Sequence, residues 1–197
     1  IYLLILLIVF NSYLMVLKMI ETPRLILRQW LPEDYPCFAQ MSTNPKVMQY
    51  FPKLLSRSDS DALIDKFHDI IDRQGWGFWA VELKVTHQFI GFVGLHEQAT
   101  QFSFSPCVEI GWRLDQAYWG LGYATEAAQA ALKFAFDQLA LEKVVSFTTL
   151  ENTKSQSVMQ KLNMTYVKDF QHPALAVDHP LCWHVLYQIE KDDFFAE

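Results

Sequence analysis

The chain has 197 residues, of which 51% are apolar, and a formal net charge of −6 at pH 7. This length suits one domain with a substantial core, and no cluster of lysine and arginine follows any one element, which argues against a nucleic-acid partner. The three cysteines lie far apart without a Cys-x-x-Cys pair, and the six histidines show no metal-ligand spacing. We therefore expect a cytoplasmic protein with reduced thiols and no metal site.

The first 18 residues are almost wholly apolar as far as Leu17, with only Asn11 and Ser12 interrupting them. Their length is close to the minimum for crossing a bilayer, roughly 17–25 residues. A secretory signal is not indicated, because a basic start and a small-residue cleavage site are missing. We interpret residues 1–18 as an upstream extension foreign to the domain, with a membrane anchor or an additional packed element as alternatives. One domain is expected over residues 19–197, beginning near Met19.

The first half of this domain predicts one strand and two helices. Arg24–Arg28 reads as a strand ended by Pro32, and Pro32–Asp34 opens a helix. A helical turn is expected after Asn44 and Pro45. The clearest helix is Ser58–Gln74, with apolar residues on one face, serines before it and a glycine after it.

The second half predicts antiparallel strands followed by alternating strands and helices. The expected strands are 78–83, 89–95, 107–114, 144–149, 165–170 and 183–189, and the expected helices are 124–140 and 155–162. This order predicts an α+β fold around one mixed, mostly antiparallel central sheet flanked by helices.

The segment from Tyr118 to Glu126 joins the strand 107–114 to the Ala-rich helix through a Gly-x-Gly turn. A helix N-terminus presents N–H groups that the helix itself cannot satisfy, and its dipole favours negative charge. Without a Cβ at Gly120 and Gly122, an anion can approach this backbone closely. The turn therefore predicts a cradle for a pyrophosphate.

Three segments together resemble the GCN5-related N-acetyltransferase (GNAT) superfamily, and more narrowly its Rim-type ribosomal-protein alanine N-acetyltransferases. They are Glu21–Arg28, Val108–Ala127 and Asn152–Met164. The resemblance implies a GNAT-like sheet whose fourth strand, here 107–114, carries a bulge and splays from the fifth, here 144–149. It also implies acetyl-CoA as co-substrate, bound in the cleft between these two strands.

The same resemblance assigns the acetyl-CoA contacts. Pantetheine is expected at Trp112 and Leu114, and Ser155 is also assigned to the cofactor site. Asn152 is expected to contact the pantetheine amides or the substrate, or to hold its loop as an Asx turn. The pyrophosphate is expected on the N–H groups of Gly120, Leu121, Gly122, Tyr123, Ala124 and Thr125, with Trp119 as a further cofactor contact. Trp119 departs from the wider superfamily and agrees with the Rim-like branch. Leu121 stands where a basic residue is frequent, which weakens the expected phosphate contact. Asn163 replaces a usual glycine, and asparagine tolerates the left-handed conformation required there.

Acetyl transfer to an amine needs a base, because amines are largely protonated at pH 7. Glu109, on the strand facing the cleft, is our candidate, with Glu82 and Glu97 on neighbouring strands as alternatives. Many relatives use a tyrosine to protonate the leaving thiolate, but Met159 occupies that position here. Ser155 is the substitute implied by the Rim-like branch, and its alternative role is to cap the helix.

The predicted function is acetyl-CoA-dependent transfer of an acetyl group to a primary amine by direct attack in a ternary complex. The acceptor is a protein α-amino group, a polyamine, an amino-acid analogue or an aminoglycoside-like molecule, and segments 48–52, 76–79 and 102–104 are expected to shape its site. The alternative is an acyl-CoA-binding or interaction module that has lost turnover. We expect a monomer or homodimer that interacts with neither nucleic acid nor a membrane.

Overall fold

The computed structural model describes residues 19–196, so the expected extension over residues 1–18 lies outside the described residues. Its strands are β1 (Ile20–Glu21), β2 (Leu25–Arg28), β3 (Phe78–Leu83), β4 (Phe89–Gln98), β5 (Cys107–Leu114), β6 (Lys143–Thr149), β7 (Thr165–Gln171) and β8 (Trp183–Glu190). Its helices are α1 (Asp34–Ser42), α2 (Arg57–Gln74), α3 (Tyr123–Asp137), α4 (Thr153–Lys161) and α5 (Lys191–Phe195). Within residues 19–196 no helix is both long enough and apolar enough to span a membrane.

The eight strands form one sheet in the order β1-β2-β3-β4-β5-β6-β8-β7. All neighbours are antiparallel except β5 and β6, which pair in parallel at the single position Glu109↔Val145 and then diverge. The predicted fourth and fifth strands are β5 and β6, so the mixed sheet and its splay are confirmed. The expected bulge is not found where β5 pairs with β4, because that register runs without a shift from Gly91↔Leu114 to Gln98↔Cys107.

Helices cover both faces of the sheet. Successive side chains of a strand point to opposite faces, so two neighbouring residues of β3 contact different helices. Phe78 of β3 contacts Phe67 of α2, with ring centroids 5.1 Å apart. Its neighbour Trp79 contacts Phe134 of α3 at 5.3 Å. Thus α1 and α2 lie on one face and α3 lies on the other, and the core fills both interfaces.

The two long helices form for different local reasons. Ser56 caps α2 by accepting a hydrogen bond from the main-chain N–H of Asp59, and Gly75 ends the helix in the left-handed conformation with φ of 83°. In α3, small alanines lie against the sheet and allow close packing of the helix. This helix ends at Asp137 rather than at the expected Ala140, because Ala140 itself adopts a positive φ of 51° and turns the chain.

The other helix bounds also depend on single residues. Helix α4 begins at Thr153, two residues before the expected start, because Asn152 caps it. Asn163 has a φ of 58°, which confirms the left-handed conformation expected after this helix.

Candidate active site

The divergence of β5 from β6 opens a cleft of about 1040 Å³ that reaches from the start of α3 to the α1–α2 loop. Its walls come from β4, β5 and β6, from α4, and from aromatic side chains on the α2 face of the sheet. A cleft of this size is large enough for a small-molecule ligand with most of its surface buried. Among the predicted site residues only Leu121 is not part of the lining, and it is 52% exposed.

The turn before α3 is built as the sequence predicts. Gly120 and Gly122 have φ angles of 76° and 82°, which L-residues rarely adopt. Gly122 is the N-cap of α3 without any side-chain cap, and the first bond within the helix runs from Glu126 N–H to the Gly122 carbonyl at 3.0 Å. The N–H groups of Tyr123, Ala124 and Thr125 therefore face outward at the positive end of the helix.

Main-chain groups of β5 face the gap towards β6. The Ile110 carbonyl accepts a hydrogen bond from Ser146 Oγ at 2.9 Å, and the Leu114 carbonyl accepts one from Trp119 Nε1 at 2.8 Å. Because alternate residues of a strand direct their main-chain groups to the same side, the N–H and C=O of Trp112 also face the gap. The Trp119 indole therefore satisfies the Leu114 carbonyl, which β6 is too far away to reach. The main-chain groups of Trp112 remain available to a ligand in the gap.

Glu109 lies where β5 and β6 begin to separate, and its side chain enters the cleft on the α2 face. Gln98 Nε2 donates a hydrogen bond to Glu109 Oε2 at 2.7 Å. Burial raises the pKa of this carboxyl group to about 7, although the hydrogen bond from Gln98 acts in the opposite direction. A carboxylate with this pKa is matched to proton transfer near neutral pH.

His96 is a cleft residue that the sequence did not reveal. It pairs directly across from Glu109 in the β4–β5 ladder and stacks on Phe78, with ring centroids 5.7 Å apart. Burial lowers the pKa of His96, so its imidazole is neutral at pH 7. Only the strand register brings His96 and Gln98 to Glu109, so no local sequence signal indicated them.

The two alternative bases lie elsewhere. Arg28 Nε bonds one carboxylate oxygen of Glu82 at 2.6 Å, and His87 Nδ1 lies 2.8 Å from the other. Although burial acts to raise it, these partners hold the pKa of Glu82 below its ordinary value. Glu97 is exposed and follows His96 on the strand, so it points to the other face. Neither carboxylate lines the cleft.

Ser155, on the first turn of α4, lines the same cleft as Glu109. The helix cap is Asn152 and not Ser155: Asn152 Oδ1 accepts the Ser155 N–H at 3.2 Å. Asn152 Nδ2 also donates to Ser155 Oγ at 3.0 Å and to Thr148 Oγ1 at 2.8 Å. Ser155 Oγ is therefore an acceptor within the protein, and its own proton is free to point into the cleft.

Of the three segments expected to shape the acceptor site, only part lines the cleft. Tyr50, Phe51 and Pro52 line the cleft, as does Phe78 from the second segment. Met48 and Trp79 are buried in the core instead, because they lie on the sides of their elements that pack inward. Phe102 and Phe104 do not line the cleft; they stack on each other beside Phe147 and Phe170.

Arg113 is a second unpredicted cleft residue. It is only 9% exposed and lies on the same face of β5 as Glu109. Gly111 lies between them on that face, and a Cβ there would come within 3.2 Å of the Phe78 ring. The missing side chain of Gly111 lets the Phe78 ring lie against the strand between Glu109 and Arg113. Among residues 19–196, no cluster of three or more potential metal ligands is present.

A sheet split at one parallel strand pair, with an uncapped helix N-terminus at the mouth of the split, is the architecture of a GNAT-type acyltransferase. Residues 24–165 match the family model for the acetyltransferase (GNAT) domain, and the chain belongs to this family of acetyltransferases.

Curated and solved relatives agree with this assignment. An uncharacterized N-acetyltransferase of Bacillus subtilis, YnaD, is 28% identical over 147 residues, which cover 74% of this chain and 81% of the relative. A GNAT-family acetyltransferase structure from Bacillus anthracis superposes with a TM-score of 0.75 at 24% identity, covering 88% of this chain and 99% of that one. The ribosomal L7/L12 α-N-protein acetyltransferase RimL in complex with coenzyme A gives 0.72 at 17% identity, covering 89% and 99%. The last two likenesses concern the fold.

Proposed function

We propose that this protein transfers the acetyl group of acetyl-CoA directly to a primary amine in a ternary complex, with Glu109 as base. The observation that carries the proposal is the arrangement of one cleft. The open N-terminus of α3 lies at one end, and the half-buried carboxyl group of Glu109, with a pKa of about 7, lies further along the same strand gap.

The residues of the turn fit the pyrophosphate of acetyl-CoA. A Cβ placed on Gly120 would meet no atom within 4 Å, so the space beside the turn is open to a ligand. The outward N–H groups from Tyr123 to Thr125 supply hydrogen bonds there. RimL, which shares the fold, has been solved with coenzyme A, which supports the same use of the cleft in this chain.

Positive charge that Leu121 does not supply comes from other elements. Lys154 of α4 lines the cleft, and its Nζ lies 4.4 Å from the Trp119 ring centroid. Arg24 Nη1 donates a hydrogen bond to the Leu121 carbonyl at 3.0 Å, and its guanidinium lies 4.5 Å from the ring centroid of Tyr123. Lys154 offsets the expected weakening of phosphate contact, whereas the charge of Arg24 is paired with Glu126 and its contacts hold the turn in place.

In the proposed reaction the amine nitrogen attacks the thioester carbonyl carbon, an N–C bond forms and the C–S bond breaks. The amine proton passes to Glu109, directly or through water. The main-chain N–H of Trp112 faces the gap and is a donor for the developing oxyanion. Ser155 Oγ–H donates a hydrogen bond to the departing thiolate, while Asn152 holds the serine oxygen in place.

The Rim-type likeness of the sequence adds a protein α-amino group to the candidate acceptors, and we place the reaction in the cytoplasm. A panel of peptides and small amines, with coenzyme A release as the readout, tests the proposal. Turnover of an amine that depends on Glu109 supports it. Acetyl-CoA binding without turnover of any amine would instead support the alternative of a binding module.

A further inference from the structure

The guanidinium of Arg113 is buried in the cleft without a counter-charge. Its Nε and Nη1 atoms have no hydrogen-bond partner among the described residues, and no carboxylate of that part of the chain forms an ion pair with it. Burial lowers the pKa of Arg113 to about 10, so the side chain remains charged at pH 7. A buried charge without a partner destabilises the folded protein. Its presence in the cleft therefore points to a role in binding a ligand.

Aromatic rings surround this guanidinium without satisfying its N–H groups. Its central carbon lies 4.1 Å from the ring centroid of Phe51, 5.3 Å from that of Phe92 and 5.7 Å from that of Phe38. Stacking of this kind engages the faces of a guanidinium, whereas its donors lie in its plane. The rings therefore shield Arg113 from water and leave hydrogen-bonding capacity for a ligand.

The position of Arg113 relates it to the acceptor and not to the phosphates of acetyl-CoA. Its side chain lies on the face of the sheet covered by α1 and α2, whereas the turn that fits the pyrophosphate leads into α3 on the opposite face. Arg113 and Glu109 share that face, four residues apart on β5, which is about 13 Å between their Cα atoms. Gly111, without a side chain, is the residue between them.

We infer that the acceptor carries a carboxylate as well as its primary amine, and that Arg113 binds this carboxylate while the amine reaches Glu109. An arginine pairs with a planar carboxylate through parallel N–H···O bonds, which a single monoanionic group satisfies. The amino end needs a base, and Glu109 is the carboxyl group that lines the same cleft on the same face of β5. This inference rests on the proposed function and narrows its acceptor to amino acids, their ω-amino homologues or peptides that present a carboxylate.

The test uses a homologous series of ω-amino acids, each paired with its neutral carboxamide, with kcat/KM corrected for the pKa of each amine. The preference for the carboxylate should fall by about 10- to 100-fold in Arg113→Met, as expected for a lost charge-assisted hydrogen bond. Arg113→Lys, which keeps the charge without the planar fork, should retain an intermediate preference. The KM for acetyl-CoA should change less than about twofold in both variants, and Arg57→Met, at an exposed arginine of α2, should match the wild type.

Two further measurements separate the possible failures. If Arg113 served only the fold, Arg113→Met would lower the Tm, whereas removal of an unpaired charge leaves the Tm unchanged or raises it. Binding of the N-acetylated acids and their amides, measured calorimetrically with coenzyme A present and absent, tests Arg113 even if no amine is turned over. Equal binding or turnover of acids and amides by the wild type, or a preference that survives in Arg113→Met, would overturn the inference. Selective acid binding without any turnover would contradict the proposed function alone.

Discussion

Glu126, in the first turn of α3, is bound to Arg24, which immediately precedes β2. Glu126 Oε1 accepts the main-chain N–H of Arg24 at 2.9 Å, and Oε2 accepts its Nε at 2.5 Å. Thr22 Oγ1 adds a third hydrogen bond to the same carboxylate at 2.6 Å. Arg24 also donates a hydrogen bond to the Leu121 carbonyl. The Arg24–Glu126 pair therefore fixes the segment before β2 to the turn that is proposed to hold the pyrophosphate.

We predict that Glu126→Gln weakens acetyl-CoA binding and lowers the free energy of unfolding by about 1–3 kcal/mol, the cost of disrupting hydrogen bonds to a charged group. Urea denaturation and calorimetric titration measure the two effects. Glu142→Gln, at an exposed glutamate beside β6, is the control and should match the wild type. Unchanged acetyl-CoA affinity in Glu126→Gln would show that the pair does not organise the turn.

The same variant has a pH signature. Burial acts to raise the pKa of Glu126, but hydrogen bonds from Thr22 and Arg24 outweigh it and hold this pKa below its ordinary value. A lowered folded-state pKa stabilises the protein above the unfolded-state pKa, and this contribution is lost as the pH falls through the folded-state value. The stability difference between wild type and Glu126→Gln should therefore shrink below about pH 4, where the unfolded carboxyl group protonates.

For Glu109 we predict an acid limb in the pH–rate profile near pH 7, since its pKa is about 7 and the base must be ionised. Glu109→Gln should lower kcat by about 10²- to 10⁴-fold at neutral pH and abolish that limb. Steady-state rates from pH 5 to 9 measure this. Glu97→Gln, at the exposed glutamate of the adjacent strand, should leave the profile unchanged; an acid limb that persists in Glu109→Gln would remove Glu109 from the mechanism.

Gln98→Leu should move the same limb to higher pH. Burial raises the pKa of Glu109 and the Gln98 hydrogen bond lowers it, so removing the amide leaves burial unopposed. Activity at pH 6 should fall more than activity at pH 9, in contrast to a general loss of folded protein. The exposed Gln101 provides the matched control as Gln101→Leu, and a limb that shifts to lower pH would contradict the assignment.

Ser155→Ala should lower kcat by about 10- to 100-fold and change the dissociation constant of acetyl-CoA by less than about twofold. The reason is that Asn152, and not Ser155, caps α4, so the helix survives the substitution. Rapid-quench and equilibrium-binding measurements separate the two parameters. Thr153→Ala, at an exposed residue that does not line the cleft, should retain wild-type kcat. A kcat that is unaffected in Ser155→Ala would exclude a role in thiolate departure.

Two glycines with the same backbone conformation allow a matched test of the turn. Gly122 and Gly75 have φ angles of 82° and 83°, so alanine at either position should cost about 1–2 kcal/mol in stability. Only Gly122→Ala should raise the dissociation constant of acetyl-CoA, by about tenfold, because Gly75 ends α2 away from the cleft. Thermal denaturation and calorimetry supply both numbers. Equal affinities in the two variants would argue against the turn as the phosphate site.

Much of this protein could be predicted from local patterns. The apolar period of α2 and its flanking Ser56 and Gly75 predict the helix within about one residue, because caps and periodicity act over neighbouring residues. The Gly-x-Gly turn predicts the open start of α3 for the same reason. The predicted end of α3, Ala140, was wrong by three residues, because the helix ends at Asp137. The positive φ of Ala140 turns the chain, although alanine and leucine there continue the helical pattern.

Site residues that depend on partners could not be predicted. The alternation of β5 places Glu109, Gly111 and Arg113 on one face, but it does not show that Arg113 lacks a counter-charge. Likewise Glu82 and Glu109 are both strand carboxylates in the sequence, and only their neighbours give them opposite pKa shifts.

The sequence by itself determined the family, the order of elements and the open glycine turn before α3, because these depend on residues that are close along the chain. The tertiary structure alone decided which carboxyl group lines the cleft with a raised pKa, and that Asn152 caps α4 while Ser155 lines the cleft. It also decided that Arg113 is held unpaired among three phenylalanine rings. The physical reason is that burial, pKa and charge pairing arise from elements far apart in sequence that only the packed sheet brings together.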